Sequence, residues 1–202
     1  MSKSGKQDKA AKPPRTQQER RDATSSAVLQ SAIRLFGQRG YQNTSLEDIA
    51  ADCGTTIRPI YHYYRNKKNL FLTATETLET QLLGVFEGME AQQTGQMPVS
   101  AYWQAFTEVC QQEGFRQIVL LDAPNFLGRD RWLNSPIVNK AIDYFYALYP
   151  GLGEKSRMLV SRVFVAALTE AALVLSEYDG EEEPPSFAEL MAIFESLTGV
   201  RA

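Results

Sequence analysis

The chain has 202 residues, room for one large or two small domains, with the 44% apolar and 22% charged content of a soluble globular protein. No stretch reaches the roughly 18 apolar residues that a membrane span needs, and no apolar run follows the N-terminal lysines, so neither a membrane helix nor a secretory signal is expected. The net charge of −3 conceals a division: residues 1–68 hold 13 Lys/Arg against 6 Asp/Glu, and residues 69–202 hold 8 against 18. Such asymmetry suggests that one end meets a polyanion, although a basic tag on a neutral domain would give the same count. Cys53 and Cys110 are the only cysteines and have no CxxC spacing, which suits a reducing cytoplasm and gives no disulfide framework.

Residues 1–15 are polar and basic and read as a disordered arm. Thr16-Gln17-Gln18-Glu19 has capping-box spacing and starts a helix. Val28, Leu29, Ala32, Leu35 and Phe36 continue it at helical spacing, and Gly40 ends it. Thr44-Ser45-Leu46-Glu47 matches a second capping box, opening a short helix that Gly54 stops. Thr56 caps a third short helix, with Pro59 still in its first turn, where a missing N–H costs little. Ile60 and Tyr64 should face inward. Asn66 caps a long fourth helix bearing Leu70, Phe71, Ala74, Leu78, Leu82, Val85 and Met89.

After a polar loop, Pro98 opens a helix carrying Tyr102, Trp103, Phe106, Val109 and Cys110. Phe115 to Leu121 reads as a helix stopping before Pro124, and Asn125 to Trp132 as irregular. Ser135-Pro136 begins another helix that Pro150-Gly151 ends. A long apolar helix spans about Glu154 to Tyr178, and an acidic loop with Glu181, Glu182 and Glu183 follows. Ser186-Phe187-Ala188-Glu189 caps the last helix. No strand alternation and no internal repeat is visible.

Two short helices joined at Gly54, with a helix ahead of them, describe a helix-turn-helix. The second helix of such a pair is small enough to enter a major groove about 12 Å wide. Thr55, Thr56, Arg58, Tyr61, His62 and Tyr63 supply polar and aromatic groups for that face, and Lys67 and Lys68 are placed for phosphates. Pattern alone also allows a plain αα-hairpin with a solvated face.

The stretch from Ala32 to Tyr41 (AIRLFGQRGY) is similar to the first-helix signature of tetracycline-repressor-like, or TetR-family, regulators. Thr44-Ser45-Leu46-Glu47-Asp48-Ile49-Ala50 resembles their second helix. Gly54, Ile60-Tyr61-His62-Tyr63-Tyr64, Asn66-Lys67, Leu70 and Phe71 resemble their turn, recognition helix and fourth-helix start. The resemblance covers roughly residues 20–72. It implies a homodimer whose heads each read half of a palindromic operator, with a small-molecule pocket in each body. Carried over residue by residue, it puts Thr44 on phosphate at the second helix N-terminus and Thr56 and Arg58 at the groove-facing helix start. It puts Tyr61 and Tyr63 on phosphate or sugar, and Lys67 on phosphate. Pro59 departs from the family's frequent hydroxyl there. Arg58 stands where a small residue is frequent, and could read guanine bidentately or bind phosphate.

His62 is the only histidine, which removes His-rich metal sites and any Ser-His-Asp arrangement that would require a second role for it. No GxGxxG, P-loop or HExxH occurs, so neither an enzyme nor a cofactor or metal site is expected. The dense aromatics of the second half are core by default. Some of them could line a pocket, and the candidates are Tyr102, Trp103, Phe106, Phe126, Trp132 and Phe145. Asp122, Arg116 and Arg129 are candidates to orient a mostly apolar ligand.

The expectation is therefore an all-α chain: a disordered basic arm (1–15), a three-helix helix-turn-helix DNA-binding domain (16–66), and a helical ligand-binding and dimerisation bundle (67–202). Its expected partners are double-stranded DNA with a palindromic operator, an unknown small molecule and a second copy of itself, without a membrane, in the cytoplasm. The alternative is a helical small-molecule-binding or interaction protein without DNA-binding activity.

Overall fold

The computed structural model describes residues 16–95, 97–177 and 185–198, and among these every regular element is helical. The basic arm, and the acidic loop with Glu181, Glu182 and Glu183, lie outside the described residues. The head consists of α1 (Gln17–Arg39), α2 (Leu46–Asp52) and α3 (Ile57–Tyr64). A long helix, α4 (Lys67–Ala91), leaves the head and enters the body. The body adds α5 (Val99–Cys110), α6 (Glu113–Phe115), a π-helix (Arg116–Asp122), α7 (Ala123–Phe126), α8 (Arg129–Leu133), α9 (Pro136–Leu148), α10 (Glu154–Ser176) and α11 (Phe187–Thr198).

Most boundaries follow from local chemistry. Thr16 and Glu19 exchange both capping-box bonds at the start of α1. Asn66 accepts the Asn69 N–H at the start of α4, and Ser135 accepts the Val138 N–H at the start of α9. Ser186 and Glu189 close the same reciprocal pair ahead of α11. At α2 the expected cap is displaced by one residue. Ser45, not Thr44, is the N-cap, and Asp48, not Glu47, returns the bond.

Two body segments differ from expectation. The helix beginning near Phe115 does not stop before Pro124. It passes through π-helical turns and reaches Phe126 as α7, with Pro124 second in α7. The wider turn lets Ile118, Val119, Leu120 and Asp122 all be buried, which a regular 3.6-residue period would not allow on one face. The stretch expected to be irregular up to Trp132 holds α8, entered through Gly128 at φ +102°.

One continuous core joins head and body. In the head, Val28, Phe36, Ile49 and Ile60 are buried, with Phe71 of α4 against Phe36, and in the body Phe115, Phe145 and Phe164 are buried. An ion pair buried on its Glu79 side ties α4 to α8: Arg131 donates from Nη1 and Nη2 to the two carboxylate oxygens of Glu79, each at 2.6 Å. Two expected pocket residues pack in or against this core. Phe145 stacks among Tyr149, Phe164 and Phe194 with no exposed surface. Phe126 lies against Tyr41, with ring centroids 4.6 Å apart.

Candidate nucleic-acid interface and body cavity

α3 is presented by three local devices. Gly54 takes φ +67°, a left-handed conformation that a side chain would strain. The Gly54 N–H then donates to Ala51 O at 3.3 Å and the Thr55 N–H to Ala50 O at 2.9 Å, the paired bonds of a Schellman ending. At the far end of α3, the Tyr64 hydroxyl donates to Ser25 O at 2.9 Å and pins α3 to α1. Between them Ile60 is fully buried. The end of α2 is tied to α1 because Arg34 and Ser31 both donate to Asp52. Those bonds, Arg34's first, hold the Asp52 carboxyl below its ordinary range.

With Ile60 and Tyr64 turned inward, the opposite side of α3 carries Arg58, Tyr61 and His62, all exposed. Tyr61 keeps 52% of its surface in water, a large exposure for an aromatic side chain. Thr56 is the exposed N-cap of α3, but its hydroxyl makes no capping bond. Thr55 is half-buried in the turn. Tyr63 is half-buried beside His62, with ring centroids 5.0 Å apart.

Arg65 was not singled out from the sequence. It is exposed, lies three and four residues beyond His62 and Tyr61, and takes φ 68° at the end of α3. Helical spacing from Arg58 and Tyr61 was the signal that could have found it.

Thr44 does not fill the role expected of it. It has no exposed surface, and its hydroxyl donates inward to Leu35 O at 3.2 Å and to Gly40 O at 2.9 Å. The first turn of α2 is capped from within by Ser45 and Asp48, and the Ser45 bonds hold Asp48 ionised below its usual range. Lys67 is half-buried at the edge of a shallow groove shared with Gln42, Ser45 and Tyr61. Its ammonium lies 4.3 Å from the Tyr41 ring centroid and donates to Gln42 O at 3.4 Å. Burial lowers its pKa.

The body holds a cavity of about 80 Å³ among α4, α5, α8, α9, α10 and the start of α11. Four of the expected ligand residues, Tyr102, Trp103, Phe106 and Trp132, line it. Asp122, Phe126 and Phe145 do not. Their faces turn to the head and to the core, a distinction that composition cannot draw. Arg116 pairs instead with Glu177, and the side chain of Arg129 lies outside the described residues. Burial pushes the Cys110 thiol up to about 12, as suits a core residue.

Residues 28–74 match the family model described as bacterial regulatory proteins, tetR family. The N-terminal domain belongs to that family. A curated relative, the HTH-type transcriptional regulator YezE of Bacillus subtilis, is 38% identical over 68 residues, 33% of this chain and 35% of its own length. The HTH-type transcriptional regulator AcrR of Shigella flexneri is 37% identical over 68 residues, 34% of this chain and 31% of its own. The match thus spans about a third of these curated relatives.

The fold likeness extends further. A TetR-like transcriptional regulator from Rhodococcus superposes with a TM-score of 0.62 at 18% identity, covering 93% of this chain and 97% of its own. A TetR-family regulator from Pectobacterium atrosepticum gives 0.57 at 20% identity, covering 91% and 94%.

The tetR-family head rests on the body through Asp122. This carboxylate, expected at a ligand, is buried and accepts the Tyr41 N–H at 2.7 Å. Gly40, at φ +76°, ends α1 so closely that a Cβ there would stand 3.4 Å from the Asp122 carboxylate. The π-helix is thus keyed to the last turn of α1, beside the residue over which Lys67 sits.

Proposed function

We propose that this chain is a sequence-specific DNA-binding transcriptional regulator, acting as a repressor that a small, mostly apolar molecule releases from a palindromic operator. The observation that carries the reading is the outward face of α3. Arg58, Tyr61 and His62 stand exposed on a helix whose other side is anchored by Ile60 and Tyr64. A short helix so held, with its N-terminal residues outward, is the geometry that reads base edges in a major groove. In this reading residues 16–66 are the DNA-binding domain, 67–202 the ligand-binding and dimerisation domain, and Lys67 a phosphate contact. The relatives are named transcriptional regulators, which supports a cytoplasmic, non-enzymatic role.

A palindromic operator calls for two heads, and α10 supports a homodimer. Its core side buries Phe164, Val165 and Ala172, while Met158, Leu159, Val163 and Val174 remain exposed, Leu159 by 66%. α11 adds Ile193 and Leu197, the latter 82% exposed, whereas Phe194 turns inward. By length and composition alone α10 could cross a bilayer, with a mean hydropathy of 1.9 over 18 residues. Arg162 and Glu170 are exposed on that helix, and its other side is packed into the bundle, so a second copy suits it better than lipid.

Selection of bound sequences from random duplex DNA tests the reading. A recovered palindrome supports a dimeric reader. Recovery of no preferred sequence would favour the helical protein without DNA-binding activity.

A further inference from the structure

We propose that the body cavity takes a small monocarboxylate, its apolar tail among the aromatic rings and its carboxylate on Lys140, in the place now held by the side chain of Glu90. The inference rests on the sensing half of the proposed function and supplies the chemical class of the ligand.

The walls are apolar and aromatic almost throughout, and among the lining residues Lys140 alone carries a charge. With Glu90 turned away, that cation in an apolar wall would call for another anion, because a charge brought out of water must be paired. Three donors converge at that end of the cavity. The Lys140 ammonium donates to Glu90 Oε1 at 2.6 Å, the Tyr102 hydroxyl donates to the same oxygen, and the Tyr144 hydroxyl reaches it at 3.5 Å. All three donors line the cavity, and Glu90 does not. It reaches them from the last turn of α4. The structure therefore already shows these donors arranged around a carboxylate oxygen, and the oxygen comes from outside the pocket.

Exchange is feasible because neither partner of the ion pair is deeply held. The Lys140 side chain is 25% exposed and that of Glu90 37%, and pairs so exposed contribute little to stability. Glu90 can turn to water when another carboxylate takes its donors. The lowered pKa of Glu90, caused first by the Lys140 bond and then by the Tyr102 bond, agrees with a site that favours the ionised form. A neutral amide would leave the ammonium to Glu90. An amine would meet Lys140 as a like charge.

Size restricts the tail. A cavity of 80 Å³ is about half of the roughly 150 Å³ that holds benzene, which fits an acyl chain of a few carbons.

Release of Glu90 would also untie the far end of α4 from α5 and α9. That helix begins at Lys67, beside α3, so the exchange gives the ligand a mechanical route to the head. A ligand shifts such an equilibrium only through different contacts in the two states. Occupation of the three donors by pentanoate or by Glu90 is such a difference.

The test is calorimetric titration of the full chain without DNA, with pentanoate, pentanamide and pentylamine as probes, checked by the fluorescence of Trp103 and Trp132 in the cavity wall. Pentanoate is expected to bind at least tenfold more tightly than either isostere. Lys140→Met should bring pentanoate down to the level of pentanamide and leave pentanamide unchanged. Glu90→Gln should strengthen pentanoate several-fold by removing its competitor. Both positions are partly exposed, and circular dichroism verifies that the variants fold.

Equal binding of pentanoate and pentanamide, preference for the amine, a weaker Glu90→Gln, or no binding of any probe would each overturn the inference. A chain that selects a palindrome yet ignores pentanoate loses this inference alone. A chain that binds pentanoate but no DNA keeps it and loses the regulator reading.

Discussion

The head and the body each use an arginine–carboxylate pair to fasten helices, at opposite depths. In the head, Arg34 and Asp52 tie α1 to α2 near the surface, with side chains 50% and 23% exposed. In the body, Arg131 and Glu79 tie α8 to α4 with side chains 21% and 2% exposed. Water already solvates the first pair, so breaking it costs little. Around the second pair little water is left. Burial raises the Glu79 pKa in spite of two short bonds from Arg131, so desolvation outweighs the attraction. The head is fastened mainly by caps, turns and a small apolar core, whereas the body stakes a buried charge on a single partner.

The sharpest way to break that comparison is to remove one partner from each pair. Arg131→Ala leaves the Glu79 carboxylate buried alone and should destabilise the chain by about 3–5 kcal/mol. Arg34→Ala should cost less than about 1 kcal/mol. Replacing both members of the buried pair, Arg131→Met with Glu79→Met, should recover most of the loss or exceed wild type, since well-packed apolar residues often match a buried ion pair. Denaturant unfolding of the three variants measures this, and a double variant as unstable as Arg131→Ala would show that packing at α8, not charge, holds the body.

Next in size is the function assigned to the head. Arg58→Ala removes an exposed group and should leave stability unchanged. It should cost about 1–3 kcal/mol in operator affinity and relax preference at one base-pair position. Binding of single-substitution operators reads both effects. Uniform weakening with unchanged preference would assign Arg58 to phosphate.

A smaller effect belongs to the turn. Gly54→Ala puts a side chain at φ +67°, where L residues lose roughly 1–2 kcal/mol. No atom lies within 4 Å of the added Cβ, so the loss is conformational and not steric. Melting of the variant should drop by that amount, and Gly54→Asn, which tolerates this region better, should recover part of it.

How far the sequence reveals each region follows from the same contrast. The head is written in short-range signals: capping residues, the left-handed Gly54, and Ile60 and Tyr64 four residues apart. The one slip there is instructive. Thr44 and Ser45 are both good caps, and the preference for Glu three residues on pointed to Thr44 with Glu47, whereas the shorter Asp48 serves Ser45.

In the body, elements were legible and their faces were not. Tyr102, Trp103, Phe106 and Trp132 line the cavity while Phe126 and Phe145 fill core, yet all six look alike in composition. Asp122 faces the head, and Glu79 and Arg131 meet 52 residues apart. Those placements depend on tertiary packing, as does the π-helix that turns four neighbouring residues inward.

The smallest expected effect is the acid limb of stability, and its sign separates the two regions. The Asp52 pKa is lowered in the folded state, chiefly by the Arg34 bond and then by Ser31. Its contribution is therefore fully present above the unfolded value, near 3.8, and is lost as pH falls through the folded value below it. Asp48, lowered by Ser45, acts in the same direction, so Asp52→Asn should flatten the acid limb only in part. Glu79 runs the other way. Its folded pKa lies above the ordinary 4.5, the folded state holds its proton more tightly, and its contribution is lost as pH rises through that folded value. Carbon-13 titration of the side-chain carboxyls should find Asp52 and Asp48 below the aspartate reference and Glu79 above the glutamate one. An Asp52 at its reference value would mean that Arg34 and Ser31 do not hold it in solution, and a Glu79 below its reference would mean that Arg131 outweighs the burial on which the contrast between head and body depends.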